Sequence, residues 1–242
     1  MKSSIGKTIG GGLFLVLGST VNAQAALSTS AELGATLTRG NTESTNILAK
    51  VHTNQSLGDW QNSYKLQALY AEDSGVRSAE RYFAEWQIDY PATGRHYFFG
   101  VVNGQIDKFS GYDYIVNVAL GAGYKLIDAP TQRFKVEGGP GYSYKKLDKA
   151  ISPESGSEAN AIARVKAEYW WKFSKSAEFK QIVGSDIGID GPIISYSETA
   201  LTANLIGELA LKLSYTLEHN SEPVSGTKST DTVLAATVLY QF

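Results

Sequence analysis

The chain has 242 residues, with 22 basic residues, 24 acidic residues, a formal net charge of −2 and no cysteine. This charge balance excludes the basic surface that nucleic-acid binding needs, and the lack of cysteine excludes disulfides and thiol chemistry. The mean hydropathy of −0.18 excludes a bundle of many transmembrane helices, but it is compatible with a β-barrel, whose strands alternate apolar and polar residues.

Residues 1–25 have the pattern of a secretory signal peptide. Two lysines give a positively charged start, and the apolar core, residues 13–17, is too short to span a bilayer. Small residues at the expected spacing predict cleavage between Ala25 and Ala26. The mature chain is therefore expected to comprise residues 26–242, with an uncleaved N-terminal membrane anchor as the alternative.

After the signal peptide, the chain predicts an all-β fold of twelve strands separated by turn residues. Each predicted strand is roughly ten residues long and alternates between an apolar and a polar face, which is the pattern of a transmembrane antiparallel β-barrel. The alternation is clearest in residues 81–90. The predicted strands are, in chain order, residues 30–39, 45–55, 62–71, 81–90, 96–106, 114–126, 133–145, 159–173, 177–189, 197–205, 209–218 and 231–242.

The polar faces of these strands carry charges of both signs. If the apolar faces contact lipid, the charged faces point toward the barrel axis. The predicted lumen-lining charges are Glu32, Lys50, Lys65, Arg81, Glu85, Asp89, Lys135, Glu137, Arg164, Lys166, Glu168, Lys172, Lys212 and Glu218. These charges either neutralise one another in a plugged lumen or line a narrow aqueous path. Since a barrel of twelve strands lies between filled small barrels and open porins, we expect a plugged or very narrow lumen. The inward faces of strands 5, 9, 10 and 12 are ambiguous.

The predicted connections alternate in length, with short ones after even strands and longer ones, such as residues 72–79 and 190–196, after odd strands. Outer-membrane barrels have short periplasmic turns, so both termini are expected on the periplasmic side. Pro140 predicts a bulge in the seventh strand. Aromatic residues on the apolar face predict two interfacial belts. The predicted belts are Tyr90, Tyr97, Phe134, Trp171, Phe173, Tyr240 and Phe242 at the turn side, and Tyr70, Tyr82, Tyr142, Tyr144 and Tyr215 at the loop side.

The last strand is apolar and ends on an aromatic residue, with Val238, Tyr240 and Phe242 on one face. It resembles the closing strand of outer-membrane β-barrels, and the resemblance implies that the barrel-assembly machinery recognises these three residues. Because lipid cannot satisfy backbone polar groups, the first and last strands are expected to meet in one closed, monomeric barrel. The alternative is a soluble periplasmic sandwich or lipocalin-like barrel that binds a small ligand with its apolar face inside.

Several short motifs occur in order along the mature chain. They are Arg39-Gly-Asn-Thr42, Arg81-Tyr82, Gly121-Ala-Gly-Tyr124, Glu137-Gly-Gly-Pro-Gly-Tyr142, Thr230-Asp-Thr232 and Leu239-Tyr-Gln-Phe242. On these motifs the chain resembles the YdiY-like salt-induced outer-membrane proteins, which carry a domain of unknown function numbered 481. The resemblance implies an outer-membrane barrel of a Gram-negative bacterium, in contact with outer-membrane lipid and lipopolysaccharide. It provides no catalytic residues.

The sequence shows no convincing catalytic, metal or cofactor site, and none is expected. A lipid-modifying hydrolase is the enzymatic alternative, and it would need a nucleophile next to a histidine and a carboxylate. His219 with Ser221 and Asp231 is the arrangement that comes closest. The expected function is a non-enzymatic barrel of the cell envelope, either a narrow pore or a structural barrel, linked to salt or osmotic response by the family resemblance alone.

Overall fold

The computed structural model describes residues 26–38, 44–148 and 156–242. The described residues form twelve strands that pair antiparallel with their chain neighbours, and the first strand pairs with the last, which closes the barrel. The predicted all-β fold of twelve strands is confirmed. The strands are β1 (Ala26–Thr38), β2 (Ser44–Leu57), β3 (Trp60–Asp73), β4 (Val76–Pro91), β5 (His96–Asp107), β6 (Tyr112–Asp128), β7 (Gln132–Leu147), β8 (Ser157–Trp171), β9 (Ala177–Gly188), β10 (Ile193–Ile206), β11 (Leu209–Asn220) and β12 (Thr230–Gln241).

The predicted signal peptide, residues 1–25, lies outside the described residues, as does the motif at residues 39–42. The described chain starts at Ala26, in β1. We call the end of the barrel that carries both described termini the turn end, and the opposite end the loop end.

The outside of the barrel is apolar and the inside is polar. On β11, the Leu211 and Leu213 side chains are 47% and 49% exposed, whereas Lys212 and Ser214 between them are 8% and 2% exposed. This arrangement is that of a transmembrane barrel, because an apolar belt requires lipid around it. The prediction of a transmembrane fold is confirmed, and the alternative with an apolar interior is wrong.

No helix in the described part of the chain is long and apolar enough to cross a membrane.

The barrel closes through a short ladder between β1 and β12. Ser30–Leu33 pair with residues 238–241, and Thr29 and Phe242 exchange two backbone hydrogen bonds of 2.9 Å. Leu239 points inward and is buried, whereas Val238 is exposed outside, so β12 carries apolar side chains on both faces. The last residue of the chain therefore takes part in closing the sheet.

Two predicted loops are too long, because part of each belongs to the flanking strands. Residues 72–79 contain only a two-residue turn, Ser74-Gly75, and both residues have positive φ (51° and 78°), as a tight hairpin turn requires. The predicted loop at residues 190–196 is too long because β10 already begins at Ile193. The Ser195 and Ser185 hydroxyls form a hydrogen bond of 2.7 Å across the β9–β10 ladder. The nine-residue connection between β11 and β12, residues 221–229, does lie at the loop end.

The predicted bulge at Pro140 is also wrong. The β7–β8 register runs unbroken through Pro140, which lies opposite Ala163. On its other side β7 approaches β6 closely, because a Cβ atom added to Gly139 would lie 2.1 Å from the Leu120 carbonyl oxygen. The glycines on either side of the proline therefore allow close backbone packing where Pro140 has no N–H to donate.

Tyr97 is the one residue of the predicted aromatic belts that the structure moves inside. The register of β5 turns Tyr97, Phe99 and Val101 inward, and the Tyr97 side chain is 4% exposed. Other aromatic residues of the predicted belts do lie exposed on the outer surface, near both ends of the barrel. They include Tyr90, Trp171 and Tyr240 near the turn end and Tyr82, Tyr142 and Tyr215 near the loop end.

Candidate functional site in the barrel interior

Ion pairs cross the inside of the barrel between strands that are not neighbours. Arg164 Nη2 on β8 lies 3.7 Å from Glu85 Oε2 on β4, and Lys50 Nζ on β2 lies 3.4 Å from Glu198 Oε2 on β10. Strands so far apart in the sheet can meet only through the interior. These side chains therefore occupy the lumen itself.

The middle of the lumen holds a second set of paired charges. Lys212 Nζ lies 2.9 Å from Glu32 Oε1 and 3.2 Å from Glu198 Oε1. Lys65 Nζ donates to Glu85 Oε1 at 2.7 Å, so the carboxylate that faces Arg164 is paired from both sides. Burying such charges is costly unless each has a partner, and here each cation faces at least one carboxylate.

At the loop end, Arg81 joins three carboxylates from three strands. Its guanidinium nitrogens lie 2.6 Å from Asp107, 3.0 Å from Glu218 and 3.1 Å from Asp231. The five N–H donors of arginine suit such a multiple contact. Arg81 thereby ties β4 to β5, β11 and β12.

Near the turn end, polar and aromatic side chains fill the lumen. Glu137 Oε1 accepts hydrogen bonds from the Tyr97 hydroxyl at 2.9 Å and from Gln87 Nε2 at 3.0 Å. Lys166 Nζ lies 3.6 Å from Glu137 Oε2 and donates to Gln87 Oε1 at 3.2 Å. Next to these groups, the Tyr97 ring belongs to a buried apolar cluster with Phe99, Val101 and Ala119. The turn-end layer, as we name this set, consists of Gln87, Tyr97, Phe99, Val101, Ala119, Glu137 and Lys166.

Lys135, Lys180 and Glu168 extend this layer. Lys135 Nζ lies 3.4 Å from Glu137 Oε1 and 3.8 Å from Glu168 Oε2, and Lys180 Nζ lies 3.2 Å from Glu168 Oε1. Asp89 accepts a hydrogen bond from Gln87 Nε2 at 2.9 Å. Five of the charges predicted for the lumen thus come together near the turn end: Asp89, Lys135, Glu137, Lys166 and Glu168.

Lys172 differs from the other charges that the sequence places in the lumen. It follows the end of β8, is exposed, and lies in the turn of residues 172–176, where its backbone N–H bonds the Thr131 carbonyl at 2.8 Å. The remaining predicted charges all lie on the interior faces of their strands. The prediction for Lys172 is wrong because β8 ends at Trp171, although the alternation of the sequence continues past it.

Several interior charges were not among the predicted ones. Asp107, Asp186, Glu198 and Asp231 all accept interior ion pairs from lysine or arginine. They lie on β5, β9, β10 and β12, the strands whose faces the sequence leaves ambiguous. Their position follows only from the register of the closed barrel.

The lumen contains a cavity of about 360 Å³ that extends from the level of Lys180 to the loop end, and we call it the loop-end cavity. Its lower wall includes Glu85, Arg164 and Lys166, and its sides include Lys145 and Asn160. No residue of the turn-end layer other than Lys166 lines it. This cavity therefore lies on the loop-end side of that layer.

The connection between β11 and β12, residues 221–229, covers this cavity, and we call it the strap. A Cβ atom added to Gly111, in the β5–β6 turn, would lie 2.9 Å from Val224 Cβ, so the two residues are in tight contact. These two connections are six strands apart in a ring of twelve, so the strap crosses the barrel mouth. Thr227 stabilises its bend, because its N–H and its hydroxyl both donate to the Val224 carbonyl, at 2.9 and 2.8 Å.

The hydrolase arrangement suggested by the sequence is not assembled. His219 Nδ1 lies 2.8 Å from Thr230 Oγ1, whereas Asp231 points inward and pairs with Arg81. The Ser221 hydroxyl accepts the Ile193 N–H at 2.8 Å. No group of three or more His, Asp or Glu side chains in the described ranges is arranged to hold a metal ion.

The three residues of the predicted assembly signal share the outer face of the closing strand. Val238, Tyr240 and Phe242 are all exposed, and the Tyr240 and Phe242 rings lie 5.2 Å apart. They form an apolar strip beside the seam between β1 and β12.

Comparison with known proteins gives a family match over most of the chain. A family model described as "Protein of unknown function, DUF481" matches residues 31–242. The chain is 25% identical over 228 residues to "Uncharacterized protein YdiY" of Escherichia coli (strain K12), a match that covers 92% of this chain and 86% of that protein.

Two solved structures are similar at low sequence identity. One is the translocator domain of the autotransporter NalP from Neisseria meningitidis, with a TM-score of 0.49, 14% identity and coverage of 89% of this chain and 87% of that chain. The other is the beta domain of the Bordetella autotransporter Brka, with a TM-score of 0.43, 10% identity and coverage of 90% and 98%. Both TM-scores lie below 0.5, so nothing about the activity of this barrel follows from them.

Proposed function

Since the chain belongs to the family described as "Protein of unknown function, DUF481", whose description assigns no activity, we propose a function from the geometry of the barrel. We propose that the protein is a non-enzymatic, monomeric outer-membrane barrel of a Gram-negative cell envelope, with a lumen that is closed at the turn end. The observation that carries this proposal is the turn-end layer. There, Tyr97, Glu137 and Lys166 fill the lumen with bonded, buried side chains.

Conductance across a planar bilayer tests whether the lumen is closed. The refolded barrel is expected to give no stable conductance steps over a salt series. Truncating two rings of the layer, Tyr97→Ala with Phe99→Ala, should produce steps, because it removes two large buried side chains from the lumen. Phe98→Ala is the matched control, since the Phe98 ring is exposed on the outer face. Steady, porin-sized conductance of the unaltered protein would contradict the proposal.

A narrow pore is the second candidate, and the interleaved lumen charges favour it. Fixed charges of both signs lie along the lumen, as in a path for small ions. In that case, Lys135→Ala or Arg164→Ala should change the conductance or its ion preference. A barrel without conductance, in which neither substitution has an effect, removes this candidate.

Location in the outer membrane is supported by the apolar outer surface and the exposed aromatic rings at both ends. We propose that the signal peptide directs export and is cleaved between Ala25 and Ala26. We further propose that the barrel-assembly machinery recognises Val238, Tyr240 and Phe242, and that the folded barrel contacts lipid and lipopolysaccharide. The mass of the protein recovered from outer-membrane fractions tests both location and cleavage, and Phe242→Ser should lower the amount of folded barrel there.

The proposed absence of catalysis is supported by the separation of His219 from Asp231 on opposite faces of the sheet. Release of fatty acid from phospholipid or lipid A by the pure barrel, abolished by His219→Ala, would contradict it. The resemblance to salt-induced proteins adds the proposal of a role under salt or osmotic stress. Protein abundance after a salt shift, and growth of a deletion strain at high salt, test that role.

A further inference from the structure

We propose that the loop-end cavity binds a small dissolved oxyanion and that Lys145 is its anchor. This site lies on the other side of the lumen from the turn-end layer, so it goes beyond the proposed closed-barrel function. The ligand class is a compact anion that carries several oxygen acceptors, such as a phosphate or a carboxylate.

Lys145 is a buried cation without an ionic partner in the described part of the chain. Its side chain lines the cavity, the residue is 3% exposed, and no carboxylate oxygen of the described residues lies within 4 Å of Nζ. Lys145 Nζ lies over the Tyr112 ring, 5.5 Å from its centroid. Glu158 lies directly opposite Lys145 on β8, and it and Glu222 attract the ammonium group, although neither places an oxygen within 4 Å of Nζ.

The contrast with the other interior lysines is sharp. Six other lysines point into the lumen and take part in the ion-pair networks described above. Each of them has a carboxylate oxygen within 4 Å of Nζ. They are Lys50, Lys65, Lys135, Lys166, Lys180 and Lys212. Burying a charge without a partner is costly, so a bound anion next to Lys145 would compensate for a cost that the protein elsewhere avoids.

The neighbours of Lys145 can complete such a site. Ser143 lies two residues before it on the same face of β7, and Asn160 lies opposite Ser143 on β8. Both line the cavity, and so does Lys228 of the strap, which forms part of the roof. A hydroxyl, an amide and two ammonium groups are all hydrogen-bond donors, and bonds from ammonium to an oxyanion are the strong ones.

The shape of the cavity restricts the source of the anion. Its volume of about 360 Å³ lies at the lower end of small-molecule sites. It is enclosed by the barrel wall and roofed by the strap, so the phosphates of surrounding lipids lie outside it. We therefore assign it to a dissolved anion that reaches it from the loop end.

Equilibrium dialysis with radiolabelled inorganic phosphate tests the site in the refolded, full-length mature barrel at constant ionic strength in low chloride. The unaltered protein should bind phosphate saturably, and acetate should compete. Lys145→Met should weaken binding by about tenfold or more, since it removes a charge-assisted hydrogen bond. Lys145→Arg should retain most of it.

Lys125→Met is the matched control, because Lys125 is exposed and lies near the turn end. It should bind phosphate like the unaltered protein. Added lipid A should not displace phosphate, and displacement would assign the site to lipid phosphate. Unsaturable binding to the unaltered protein, or equal affinity in Lys145→Met, overturns the proposal.

If Lys145→Met does not fold, the unaltered barrel still decides the question. Phosphate should slow acylation of Lys145 by acetic anhydride, measured by mass spectrometry, and should leave Lys125 unaffected. Equal acylation of Lys145 with and without phosphate would overturn the assignment.

Discussion

The ring of Tyr97 on β5 lies directly over Gly123 on β6. A Cβ atom added to Gly123 would lie 2.1 Å from Tyr97 Cζ, so only glycine leaves room for the inward ring. The same ring donates its hydroxyl proton to Glu137 on β7 at 2.9 Å. One missing side chain on β6 thus positions the group that fills the turn-end layer.

Gly123→Ala is therefore expected to destabilise the barrel. The added methyl group would displace Tyr97 and weaken its bond to Glu137, at a cost of about 1–3 kcal/mol in the free energy of unfolding. Urea unfolding in lipid vesicles measures it. Gly100→Ala is the control, because its Cβ would meet only Ile88 Cγ2, at an ordinary 3.5 Å. Equal stability of the two variants would contradict the packing described for Tyr97.

Lys212→Met should be far more damaging than the same substitution at Lys125. Lys212 neutralises Glu32 and Glu198 inside the lumen, and its removal leaves two buried carboxylates with less compensation, a loss of about 3–5 kcal/mol. Lys125 forms an exposed pair with Asp128, so its loss should cost about 1 kcal/mol or less. Unfolding free energies of the two variants give the comparison. Similar values would mean that the lumen pairs are solvated like surface pairs.

Val224→Ser should loosen the strap at the barrel mouth. The substitution removes apolar contact with Gly111 and should raise the opening rate of the strap roughly tenfold. Trypsin cleavage after Lys228, followed by the mass of the fragment that ends there, measures the opening. Ile189→Ser is the control, because Ile189 is exposed in a different loop-end turn. Unchanged cleavage in Val224→Ser would show that the contact with Gly111 does not hold the strap.

Spin labels test which face of the sheet contacts lipid. Labels at Leu211 and Trp86, both exposed on the outside, should be more accessible to oxygen than to a water-soluble nickel complex. A label at Gln105, which lines the cavity, should show the opposite preference. The reverse result would mean an apolar interior and a soluble fold.

Much of this architecture is local and can be predicted from the sequence. Side chains alternate with a period of two along any strand, so the apolar and charged faces of β4 and β11 can be assigned from their own residues. The turn residues between such segments then give the number of strands. The requirement that every backbone group be paired in lipid adds the closure of β1 on β12.

The tertiary structure decided what depends on register between distant segments. A shift of one residue moves a whole strand face from outside to inside, and the sequence alone does not show that Tyr97 points inward. The partners of Arg81 lie on strands that are up to 150 residues away in the chain, so no local pattern could identify them. The strap and the unpaired Lys145 beneath it likewise follow only from the closed ring, because closure brings the β11–β12 connection across the mouth to Gly111.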